Sequence, residues 1–230
     1  MKHRLTKIIQ AVACLLALLA ANGVHALEIS DANSAVGKTR TVIIFGDSIT
    51  AGSMLPPAER TNAWPQVVER ESHGQFKMIN EGKGGRPTAS LAEFEAMLKR
   101  HPRCDLLVIA LGMNDSRDLT SECIPKAVAN IRQMIEKGRQ AYGKKLRVLL
   151  VGPTNINKER LGPTMNIGNE REAKLRELGE AFAKLAKELD CDFISLFGVV
   201  PKTSLRTDGV HPDAAGNAAI ASIMLKKLQP

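Results

Sequence analysis

The stretch Thr41-Val42-Ile43-Ile44-Phe45-Gly46-Asp47-Ser48-Ile49-Thr50 decides how the rest of the chain is read. Its first five residues are β-branched or aromatic and show no polar–apolar alternation. A short continuous run of this kind suits a strand buried on both faces, as in a parallel sheet covered by helices. Gly46 permits a sharp exit, so Asp47 and Ser48 open just beyond the strand's carboxyl end.

Similar runs recur at Phe76 to Asn80, Leu106 to Leu111, Leu146 to Val151 and Phe193 to Leu196, each followed closely by Gly, Pro, Asn or Ser. Helix-period segments lie near Trp64 to Glu71, Ser90 to Arg100, Ile124 to Ala141 and Glu170 to Leu189, and Ala214 to Leu228 closes the chain. Strict β–α alternation predicts an α/β fold, a three-layer α/β/α sandwich around a five-stranded parallel sheet. In such sheets ligands bind outside the carboxyl ends of the strands, so functional residues should follow strands.

Of the 230 residues, 44% are apolar and 24% charged, which excludes a disordered chain, a collagen-like repeat and a polytopic membrane protein. Lys2, His3, Arg4 and Lys7 precede an apolar run from Ile8 to Ala21, and Val24-His25-Ala26 supplies small residues at cleavage positions. Residues 1–26 therefore read as a secretory signal peptide, too short in its apolar run for a membrane anchor, and 27–230 as a single domain. The expected location is exported, periplasmic or extracellular, with no stable membrane insertion after cleavage.

Removing the signal takes away three cations and no acids, so the net charge falls from +8 to +5 over 204 residues. The remaining basic residues alternate with acids, as in Lys174-Leu175-Arg176-Glu177, and with one Trp and one Tyr there is no stacking platform. No nucleic acid partner is expected. Cys104, Cys123 and Cys191 remain as an odd set, which leaves at least one unpaired and indicates no disulfide framework.

Four clusters carry candidate chemistry. Gly46-Asp47-Ser48 places a hydroxyl nucleophile at a strand end. Asn80-Glu81-Gly82-Lys83-Gly84-Gly85-Arg86 brings backbone close to a ligand, without the Lys-Ser/Thr of a phosphate loop or the Rossmann spacing. Gly112-Met113-Asn114-Asp115 offers a side-chain amide to a developing oxyanion. Asp208-Gly209-Val210-His211 sets a carboxylate three residues ahead of an imidazole in a turn. Together they supply nucleophile, base, orienting acid and oxyanion donors near one sheet edge.

These four ordered blocks resemble those of the SGNH (GDSL-type) hydrolases, and the likeness spans Thr41 to the chain end. The resemblance implies a flavodoxin-like sheet and ester hydrolysis through an acyl-enzyme. It implies Ser48 as nucleophile, His211 as base and Asp208 as the group orienting it. The oxyanion hole would be the backbone N–H groups of Ser48 and Gly85 with the Asn114 amide, each such donor worth about 3–4 kcal/mol in the transition state. No metal and no cofactor is required, and the family's strand order, which puts the fourth strand between those after Cys104 and Cys191, implies free, largely buried thiols. Met113 and Arg86-Pro87 depart from the commonest family pattern without removing a reacting group.

Asp47 and Arg86 are candidate substrate contacts, Arg86 at the mouth favouring an anionic substrate or else paired with a nearby acid as an ordinary surface arginine. The polar segment from Pro153 to Gly168 is expected to wall the site. Its polarity favours a small acyl group on a polar alcohol, such as an acetylated carbohydrate, as the small-molecule substrate. Lysophospholipase, thioesterase and arylesterase substrates stand as alternatives, as does a non-catalytic binding protein on the same scaffold. If His211 acts as base, activity should fall as acid protonates it.

Overall fold

A computed structural model describes residues 38–229; the signal-peptide reading of residues 1–26 lies outside them. The strands are β1 Arg40–Gly46, β2 Phe76–Gly82, β3 Leu106–Ala110, β4 Arg147–Gly152 and β5 Asp192–Ser195. The helices are α1 Ser48–Ala51, α2 Trp64–Glu71, α3 Leu91–Arg100, α4 Cys123–Tyr142, α5 Gly168–Glu188 and α6 Ala214–Leu228. All four strand pairings are parallel, in the order β2-β1-β3-β4-β5. The expected five-stranded α/β/α sandwich is what forms, with ends shifted by a residue or two.

The alternation of side chains along β1 explains why its run is continuously apolar. Val42 and Ile44 point into a core with Trp64, Val68 and Met224. Ile43 and Phe45 point into a second core with Phe94, Ile131, Met134 and Phe182. All four β1 side chains are fully buried, so every position must be hydrophobic. Burying each is worth roughly 1.5–3 kcal/mol, which makes the strand order costly to change.

One polar contact and one close backbone approach tie the helices to this frame. Ala63, before α2, offers no side-chain cap, and Asn217 of α6 supplies one by accepting the Trp64 N–H at 3.0 Å. Gly82 lets α1 close on the end of β2, since a Cβ there would stand 2.3 Å from the Ala51 nitrogen. Trp64, the first residue of α2, is 1% exposed and packs in the core.

Cys104, Cys123 and Cys191 are free. Cys123 is buried at the carboxyl end of the sheet, while Cys104 and Cys191 precede β3 and β5, half-buried, with β4 between those strands. The expectation of largely buried thiols thus holds fully only for Cys123. Among the described residues no helix is long and apolar enough to cross a membrane.

Candidate active site

The site is assembled on the carboxyl rim of the sheet from the segments that follow β1, β2, β3 and β5. Where a turn was expected after β1, the chain enters α1 at once, because Asp47 caps it by accepting the Ile49 N–H at 2.9 Å. Gly46 is required here, since a Cβ would lie 2.1 Å from Thr50 Oγ1. Ser48 is thereby the first helical residue, 8% exposed, with its backbone N–H among the unpaired donors of a helix start.

The turn after β5 delivers the partners of Ser48. Asp208 Oδ1 accepts the backbone N–H groups of Val210 at 2.9 Å and His211 at 3.0 Å. Gly209 takes φ +69°, and a Cβ there would stand 2.3 Å from the Asn157 carbonyl oxygen. His211 Nδ1 lies 2.6 Å from Asp208 Oδ2, and His211 Nε2 lies 2.9 Å from Ser48 Oγ.

Burial raises the Asp208 pKa, but the N–H groups of His211 and Val210 and the imidazole outweigh it and hold the carboxyl below its usual range. An ionised carboxylate only accepts, so Nδ1–H must donate to Asp208. In the neutral ring Nε2 is then the acceptor, and Ser48 Oγ–H donates to it. This is the tautomer that removes a proton from a serine.

The donors opposite are held by a polar girdle. Gly85 adopts φ +73° on the exposed rim. Asn114 Nδ2 donates one hydrogen to the Arg86 carbonyl at 3.1 Å, which orients the amide and leaves its second hydrogen free for a ligand. Thr88 donates its backbone N–H to Asp115 Oδ1 at 3.0 Å, and its hydroxyl binds the same carboxylate. The sequence reading missed this Thr88–Asp115 tie between the second and third blocks.

Two expected substrate contacts must be corrected. Arg86 is 6% exposed and lies inside rather than at the mouth. Its Nη1 donates to the Gly46 carbonyl at 2.7 Å and to the Glu81 carbonyl, and Nε and Nη2 donate to Glu93 Oε2 at 3.1 and 3.0 Å. Its guanidinium stacks on the Phe45 ring at 4.0 Å. All three guanidinium nitrogens are engaged by protein and the side chain is buried, so it does not face a substrate. The alternative of an arginine paired with an acid was nearer, although this one is interior.

Asp47 is 4% exposed and turned inward to cap α1. Burial, with Asp115 nearby, raises its pKa to about 7. The Pro153–Gly168 segment likewise uses its polarity internally. Asn155 is buried between Val200 O and Gly198 N, at 2.8 and 3.0 Å, and the Asn157 N–H reaches Gly209 O at 2.7 Å. The Asn157 contact braces the His211 turn, and Asn155 holds the segment after β5. Among the described residues no cluster of side chains could hold a metal ion.

Residues 44–219 match the GDSL-like Lipase/Acylhydrolase family model. The chain belongs to this family. It is a GDSL-type acylhydrolase, an SGNH esterase. The chain is 28% identical over 199 residues to the E. coli K12 protein "Thioesterase 1/protease 1/lysophospholipase L1", covering 83% of this chain and 84% of that one. A putative arylesterase from Agrobacterium tumefaciens C58 is 29% identical with TM-score 0.63, over 82% of this chain and 97% of that structure. A carbohydrate acetylesterase family member from Sinorhizobium meliloti shares the fold at 24% identity and TM-score 0.66, over 83% and 99% of the two chains.

Two predictions follow from the buried charges. Arg86→Met should lower stability by about 2–4 kcal/mol by leaving buried carbonyls unpaired, and leave the kcat/KM ratio of anionic to neutral esters unchanged. Urea unfolding and paired-ester kinetics check both parts. For Asp47, the unfolded carboxyl releases its proton near 3.8 while the folded one keeps it to about 7. Native stability relative to Asp47→Asn should therefore fall as pH rises through that window, by up to about 4 kcal/mol. Unfolding curves at pH 4 and pH 8 measure it.

Proposed function

We propose that this esterase removes short acyl groups, acetyl above all, from a polar alcohol such as a carbohydrate, with Ser48 as nucleophile. The observation that carries the reading is the chain of contacts from Asp208 to His211 to Ser48, at 2.6 and 2.9 Å. Ser48 Oγ attacks the ester carbonyl carbon while His211 Nε2 takes its proton, and Asp208 steadies the imidazolium. The negative charge that develops on the carbonyl oxygen is met by the N–H groups of Ser48 and Gly85 and the Asn114 amide. Collapse expels the alcohol, which receives the proton from His211. Water, deprotonated by His211, then attacks the acyl-serine and releases the carboxylic acid.

The space around the nucleophile supports the short acyl group. The hollow beneath the Ser48 turn, lined by Ile49, Trp64, Leu111 and Met113 among others and by none of Ser48, Gly85, Asn114 and His211, is about 20 Å³ and offers no tunnel for an alkyl chain. A larger groove of about 520 Å³ that begins at Asn114 is edged by Asp115, Asp118, Lys126 and Asn130, a lining suited to hydroxyl groups. A second reading, longer acyl thioesters or lysophospholipids, is favoured by the thioesterase and lysophospholipase activities for which the E. coli relative is named.

Hydrolysis of p-nitrophenyl acetate, butyrate and octanoate, beside Ser48→Ala, separates these. Turnover that falls with chain length and drops by at least about a thousandfold in the variant is expected. Greatest activity on octanoate would transfer the assignment to the second reading, and unchanged turnover in Ser48→Ala would remove the nucleophile. The protein is also proposed to be exported, on the strength of residues 1–26. N-terminal sequencing of the mature protein should begin at Leu27, and a chain retaining Met1 in the exported fraction would refute cleavage.

A further inference from the structure

Arg171 occupies a place on α5 where a cation is out of pattern. It lies on the buried stripe of that helix with Leu175, Leu178, Phe182 and Leu185, and is 2% exposed. Its hydrogen bonds go to neutral groups. Nε–H donates to Ser116 Oγ at 3.1 Å, and Nη2–H reaches the Met113 carbonyl at 3.4 Å and its sulfur at 3.5 Å. Ser116 Oγ–H donates to the same carbonyl at 2.7 Å.

A buried guanidinium bonded only to neutral groups loses hydration that such contacts restore in part. Burial accordingly lowers its pKa to about 10, with Arg117 acting in the same direction and Asp208 opposing. A leucine or methionine would continue the apolar stripe without this penalty. Penalties of this kind persist where a charge serves function rather than stability. The two residues that Arg171 grips, Met113 and Ser116, bracket Asn114 in sequence.

We propose that Arg171 is a positioning residue for the oxyanion site, clamping Met113 and Ser116 from behind so that the Asn114 amide is held in place and backed by a fixed positive charge. The inference rests on the functional reading above. The ester oxygen carries a full negative charge only as the tetrahedral species forms, so a fixed cation behind its donor acts on kcat more than on KM. The neighbouring Arg117 is exposed, and it is its backbone N–H that meets the loop, at the Asn114 carbonyl at 3.3 Å.

The test is a double-mutant cycle on p-nitrophenyl acetate, with Arg171→Met and Arg171→Lys each made in the native and the Asn114→Ala backgrounds, and thermal unfolding recorded for every variant. Arg171→Met is expected to lower kcat about tenfold or more with KM changed less than about threefold, and Arg171→Lys to recover part of the loss. In the Asn114→Ala background the same replacement should cost less than about twofold, because the group it positions is gone. Removing the buried charge should leave Tm unchanged or raised, in contrast to the loss of rate. Equal losses in both backgrounds, or an effect confined to KM or Tm, overturn the proposal. Should Arg171→Met not fold, the Arg171→Lys arm carries the same cycle. Turnover indifferent to Ser48→Ala defeats the functional reading and this inference with it, whereas Ser48-dependent turnover with additive losses defeats the Arg171 assignment alone.

Discussion

The carbonyl of Gly46, at the end of the second strand in the sheet order, is the point on which the site depends. It accepts the Lys83 N–H at 3.1 Å and Arg86 Nη1 at 2.7 Å, so the glycine loop after β2 is pinned to the turn that carries Ser48. An acceptor that is buried must be paired, and here the donors come from the segment that presents Gly85. The same arginine then spans to Glu93 on α3. One buried cation thus sets the distance between the Ser48 turn and the Gly85 loop, and it does so at the sheet, where the backbone cannot yield.

From that anchor the polar ties continue around the rim. Asn114 is seated on the Arg86 carbonyl, Asp115 takes Thr88, and Arg171 takes Met113 and Ser116. On the other side, Asn157 and the Asp208 carboxylate fold the His211 turn from behind and within. Few of these groups face solvent. The polar side chains that sequence alone places near a substrate spend their hydrogen bonds on one another, and the donors left over are those of Ser48, Gly85 and Asn114. Preorganisation of this kind keeps donors in place before charge develops, which is where an ester hydrolase gains most of its rate.

Asp47 illustrates the same economy of exposure. Its carboxyl caps α1 and is so buried that its pKa rises to about 7, although it adjoins Ser48 in sequence. Adjacency along a chain that turns from strand into helix sends successive side chains in different directions, and here Ser48 meets His211 while Asp47 faces the interior.

The amino-acid sequence by itself determined the layer order, because a run such as Val42-Ile43-Ile44-Phe45 is stable only with helices on both faces. It also determined which residues reach the carboxyl rim, since turns after strands lie there by topology, and so Ser48, Gly85, Asn114, Asp208 and His211 were legible. The burial of Arg86 and Asp47, the inward asparagines of the Pro153–Gly168 segment and the grip of Arg171 on the Asn114 loop were decided by tertiary structure alone. A charged or amide side chain reads as polar wherever it stands in the sequence. Whether its partner is water, substrate or a carbonyl forty residues away, as Gly46 is for Arg86, depends on which segments the sheet brings together.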